Sequence, residues 1–215
     1  MKGFAIGLVM VLIAVVVQPQ ALAQSEKESH RHMGHVTKSW GDTPDKVGLL
    51  TILEEEAQIA AQHAGLAAQD LSDLSSMQTH TRHVRHAIEA ASESGGPGKG
   101  YGIVKAAQGV SRHISLASNA GDASDNVKRH AEHVKSSAEN VVKWGQEVMQ
   151  LSEQVLSASA ADQAAPLVQQ IQELTQHIVN GTDANGDGRV SWQAGEGGVA
   201  QAKQHMDLMA RGEVS

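Results

Sequence analysis

From about residue 44 to residue 211 the apolar side chains return every three or four positions, and no useful length alternates with period two. A chain patterned this way buries stripes on helices, so the fold expected is all-α. Breaks fall where Gly, Pro, Asn and Asp gather, and they delimit helices over about 44–69, 72–92, 102–119, 124–158, 162–179 and 197–211. Thr43-Pro44 reads as an N-cap with proline at the first helical position. Gly145 marks a place where the long helix over 124–158 can kink. Short connections favour an up-down helical bundle of four to five helices over 43–160, followed by a C-terminal helix–loop–helix over 161–215.

Residues 1–23 are expected to lie outside that fold. Lys2 precedes an apolar run from Phe4 to Val17, and Ala21-Leu22-Ala23 supplies a small-x-small cleavage pattern. The run is shorter than the roughly 20 residues a span requires. A cleaved signal peptide, with cleavage after Ala23 and a secreted or periplasmic product, is the expectation, with no stable membrane insertion afterwards. Residues 24–42 are polar and include "HRHMGH" at 30–35 without an apolar period, which reads as a disordered, His-rich leader.

What is missing narrows the chemistry. Zero Cys removes disulfides, thiolate zinc sites, iron–sulfur clusters and covalent c-type haem. The formal charge of −7 and the lack of a basic stripe argue against nucleic acid. Neither G-x-S-x-G nor H-E-x-x-H occurs, and "GPGKGYG" at 96–102 lacks the phosphate-loop pattern and a preceding strand. The only Phe, Phe4, lies in the expected signal peptide, so three Trp and one Tyr are the aromatic stock beyond it, against 12 His. A helical scaffold displaying imidazoles suits zinc, copper, nickel or iron.

At 100° per residue, His63 falls on the apolar face of the helix over 44–69, and Glu56 lies on the same face two turns earlier. An inward Glu and His are costly unless paired, protonated or bound to metal. His130 lies within the apolar face of the 124–158 helix, with His133 beside it. His80 lies on the margin of the next face, His83 further round, and His86 on the solvent side; His113 borders another stripe, and His177 falls outside its own. "RHVRHAIEAAS" (82–92) and "RHAEHVKSSAE" (129–139) resemble each other, and each holds a His-x-x-His pair whose spacing lets two rings reach one ion. Glu56, His63, His80, His83, His130 and His133 are therefore the candidate transition-metal ligands, with His113 in reserve and copper, zinc or nickel as candidate ions. Haem b bound by His63 with Met77 or His130 is the alternative, ranked lower because a haem pocket usually has aromatic walls. A structural, partner-binding bundle with incidental histidines is the third reading.

"DANGDGRVSWQAGEGG" (183–198) carries a second signal. Asp183, Asn185 and Asp187 alternate, Gly188 follows, the Arg189 carbonyl comes next, and Ser191 holds the ninth position. This segment resembles an EF-hand calcium loop, and the resemblance extends over about 30 residues. It implies calcium held by Asp183, Asn185, Asp187, Arg189 and Ser191. The bidentate Glu expected at position 12 is Ala194, and Glu196 two residues later is the replacement considered. The competing reading is an Asx-stabilised turn without an ion. The function expected overall is an exported, non-catalytic metal-binding protein, with no protein partner named by any motif.

Overall fold

A computed structural model describes residues 26–214, so the expected signal peptide lies outside the described residues. Seven α-helices and no strands are found among them: α1 (Glu28–Thr37), α2 (Leu49–Ala67), α3 (Leu74–Ile88), α4 (Ile103–Asn119), α5 (Asp125–Ser157), α6 (Ala161–Asn180) and α7 (Val199–Gly212). None is long and apolar enough to cross a membrane. One core runs through the structure, built from small and branched side chains such as Leu53, Ala60, Val110, Ile114, Val134, Ile171 and Met206. α5 is central: it packs against α3, α4, α6 and α7, while α2 pairs with α3 and α1 lies on α4 and α2.

Local chemistry sets the helix starts. The Asp73 carboxylate accepts the Ser76 N–H, and the Ser124 hydroxyl accepts the Val127 N–H, so each satisfies a donor left over by the first turn. Gly145 does not interrupt α5, which continues for 33 residues. Its missing side chain instead admits α4: a Cβ there would stand 3.0 Å from a Val104 methyl.

Two stretches depart from the sequence expectations. The region read as a disordered leader contains α1, whose buried residues are only Ser29, Met33 and Val36. Its first N–H groups, of Glu28 and Ser29, donate to the Asp122 carboxylate at 2.6 and 3.0 Å, a cap supplied from elsewhere in the chain. Pro44 does not open the second helix either. Residues 44–46 form a single 3₁₀ turn with Asp45 at φ 55°, and α2 starts at Leu49. The tight 40–47 loop closes with the Trp40 N–H donating to the Val47 carbonyl.

Candidate metal centres

Nine of the 12 histidines gather in three groups of three. His32 and His35 of α1 meet His113 of α4; His80 and His83 of α3 meet His63 of α2; His130 and His133 of α5 meet His205 of α7. Each group is thus an i, i+3 pair from one helix and a single ring from a neighbour. In every group the Nδ1 atoms face one another. The His113 Nδ1 lies 3.2 Å from that of His32 and 3.3 Å from that of His35. The corresponding distances are 3.1 and 3.3 Å around His63, and 3.2 and 3.2 Å around His205.

The ring orientations repeat as well. The single ring is tilted by 34°, 28° and 35° to the first ring of its pair, with centroids 5.4, 5.3 and 5.4 Å apart. Against the second ring it stands edge-on, at 80°, 79° and 71°. Three separate helix pairs build one arrangement.

A rule of placement explains the repetition. For His32, His80 and His130, and equally for His63, His113 and His205, the residues at −3, +1 and +4 are all buried. These form the core seam, as Met77, Thr81 and Val84 do around His80 and Ala202, Met206 and Met209 do around His205. Each histidine therefore stands on the flank of its seam, where two packed helices bring flanks together. The pairs also share His-x-x-His-Val, with Val36, Val84 and Val134 fully buried.

The spacing has a chemical meaning. Of two facing Nδ1 atoms only one can hold the proton between them, and each central ring faces two neighbours at once. A cation accommodates all three lone pairs. Nitrogens bound tetrahedrally at about 2.0–2.1 Å lie about 3.3–3.4 Å apart, close to the separations observed. Burial, and then the neighbouring imidazoles, lower the pKa of His113 and His205 to about 4. The same two causes act in the same order on His63 and His83. His35 and His133 are also lowered, by burial first and then by neighbouring positive groups, while burial and Arg129 lower His130. Rings held neutral at pH 7 keep their lone pairs free for a metal.

Tryptophans touch two of the groups. Trp192 stacks on His133 with centroids 4.0 Å apart and planes at 17°. Trp40 packs against His35 and His113 at 4.8 and 4.5 Å.

The six expected ligands do not form one site. His63, His80 and His83 come together, whereas His130 and His133 belong to a different group completed by His205, which the sequence reading overlooked. His113, held in reserve, is the centre of the group with His32 and His35 from the supposed leader. Glu56 belongs to none of them. Fully buried, its carboxylate accepts the backbone N–H groups of Lys99, Tyr101 and Gly102 at 3.0, 3.0 and 3.1 Å, so it anchors the glycine-rich loop before α4. Tyr101 reinforces that anchor by donating to the Asp42 carboxylate at 3.3 Å. Of the haem pairings, His63 with His130 is not brought together, since the two rings sit in different groups. His86 is buried, not on the solvent side, because Gly96 and Gly98 close over it: a Cβ at Gly96 would lie 2.7 Å from its own Cβ. His177 stands apart, 3.8 Å from Glu173.

In the 183–198 loop, Asp183 accepts the N–H groups of Gly186, Asp187 and Gly188, Asn185 accepts that of Asp187, and Asp187 accepts that of Arg189. The Ser191 hydroxyl accepts the Gln193 N–H. Glu196 is 3 % exposed and turns back to accept the Ser191 N–H at 3.0 Å. Asn140 of α5 fixes the far end of the loop, accepting the Gly195 N–H and donating to the Gln193 and Gly197 carbonyls.

Comparison with protein-family models, with curated proteins and with solved structures gives no match.

Proposed function

We propose that this chain is an exported, non-catalytic metal-binding protein taking up three late first-row transition-metal ions, one at each histidine group. The observation that supports this reading is the threefold recurrence of one Nδ1-facing geometry on three separate helix pairs. Copper, zinc and nickel suit an all-imidazole donor set. A His₃ set leaves a coordination position free for water or an exchangeable ligand, which fits carriage and hand-over of an ion. Elemental analysis of untagged protein, loaded and desalted, tests it. Wild type should hold three equivalents, and His63→Ala, His113→Ala and His205→Ala two each. Retention of three equivalents by all three variants overturns the proposal.

A second reading, calcium at the C-terminal loop, rests on the EF-hand-like spacing and on Glu196, whose carboxylate turns back to the Ser191 N–H. Asp183, Asn185, Asp187, the Arg189 carbonyl, Ser191 and Glu196 would hold the ion at an affinity of about 10⁻⁴ to 10⁻³ M, the range of extracellular calcium modules. Calorimetric titration with calcium should give a signal that Asp183→Ala abolishes. Absence of the signal in wild type removes calcium and leaves an Asx-braced turn.

A further inference from the structure

The His32–His35–His113 group differs from the others in what it fastens, and this step rests on the metal-binding reading above. α1 has ten residues, of which only Ser29, Met33 and Val36 are buried. Helices that short are marginal on their own and depend on packing. α1 is tied at its end by the chain itself: Gly48, at the start of α2, receives it so closely that a Cβ would lie 2.6 Å from the Thr37 carbonyl carbon. At its beginning it is held by polar contacts alone, from Asp122 to the Glu28 and Ser29 N–H groups and from His30 to Glu213 at 2.8 Å. Between hinge and cap, the two rings of α1 face His113.

We propose that metal occupancy of this group latches α1 onto α4. With the ion bound, His32 and His35 are cross-linked to His113 and the helix is fixed along its length. Without it, the facing Nδ1 atoms share at most one proton per pair, only polar contacts and two apolar side chains oppose the ordering cost of the helix, and α1 swings away about the 40–48 loop. Departure uncovers the α4 flank around His113. The protein then has two metal-dependent forms that differ in which surface α4 presents.

Hydrogen–deuterium exchange of the full chain, metal-free and with three equivalents of Zn²⁺, tests the latch. Amides of 28–37 in wild type should exchange at least about tenfold more slowly with zinc, equivalent to about 1.4 kcal/mol at 298 K. His113→Ala should erase that difference, and His32→Ala, which leaves α4 untouched, should do the same. His63→Ala should keep it. If His113→Ala loses one equivalent of zinc while 28–37 in wild type exchanges equally fast with and without metal, the latch is wrong and the metal site stands. If His113→Ala and His32→Ala both retain three equivalents, the group binds nothing and the latch falls with it.

Discussion

The α2–α3 and α1–α4 histidine groups have nearly the same ring geometry and opposite positions in the chain. In the first, His63 meets rings 17 and 20 residues away, within one helical hairpin. In the second, His113 meets rings 81 and 78 residues away, on the first described helix. The same three side chains can therefore be a local clip or a long-range tie. An ion at the hairpin would join segments whose Ala60, Ala64 and Met77 already lie in the common core, whereas an ion at α1 would join a segment that buries only Ser29, Met33 and Val36. The α5–α7 group, at 75 and 72 residues, belongs with the long-range kind.

Removing each site in turn should reveal this contrast. The largest effect expected is loss of a site's whole contribution: at free metal 100-fold above Kd, each of His63→Ala, His113→Ala and His205→Ala forfeits about 2.7 kcal/mol of metal-induced stabilisation. Thermal melts with and without metal measure this, and an unchanged metal-induced rise in Tm for all three would break the comparison at its root. Next is the comparison between ties. An ion that stayed bound in the unfolded chain would close a loop of about 80 residues at His113 and of about 20 at His63, a difference of about 1.2 kcal/mol on the (3/2)RT ln n scaling. At equal metal excess over Kd, and with the ion released on unfolding, His113→Ala and His63→Ala should forfeit equal stability in denaturant titrations, and a larger loss for His113→Ala would show the ion persisting in the unfolded chain.

Smaller again is the contribution of the indole at the α5–α7 group. Trp192→Ala removes the ring stacked on His133, an interaction worth about 0.5–1.5 kcal/mol, so this site's Kd should weaken by a few-fold to about tenfold while the hairpin group is unaffected. Competition titrations in a His63→Ala, His113→Ala background isolate it. A last effect should come from protons alone. His113 and His205 are neutral in the fold down to about pH 4 but protonate near 6.5 when unfolded. The unfolded chain then binds more protons between those values, so metal-free stability rises with pH across that window and falls as pH drops from 6.5 to 4. Melts of metal-free His205→Ala should show a flatter profile than wild type.

The helices from α2 onward were legible because their buried stripes alternate cleanly with polar faces. α1 was not, since a face made of Ser29, Met33 and Val36 carries no apolar period and its N-terminal cap comes from Asp122. The inward position of His63 and His130 was also readable from helical phase. Their partners were not, because phase says which side a ring takes and not which helix lies opposite. His205 obeys the same −3, +1, +4 rule as the others, so applying that rule to all 12 histidines would have marked it. Matching "RHVRH" to "RHAEH" also slipped the register by three, aligning His83 and His86 with His130 and His133 where the fold pairs His80 and His83. Glu56 misled for a different reason. A buried carboxylate facing the core resembles a ligand until the loop amides that it collects are seen, and those lie more than 40 residues further along the chain.

Glu213 gathers Lys27 at 3.9 Å, His30, Asn126 and the Ser124 hydroxyl around a single carboxylate. Burial opposes its ionisation, but these hydrogen bonds prevail and hold its pKa at about 2. Residues 27 and 213, near the two ends of the described chain, are consequently neighbours. Joining residue 213 to residue 27 through a short linker, and opening the chain at the exposed Gly95 instead, would preserve every helix in a circular permutant. In that molecule α1 would be restrained by covalent bonds on both sides, leaving the ion at His32, His35 and His113 with no door to hold shut.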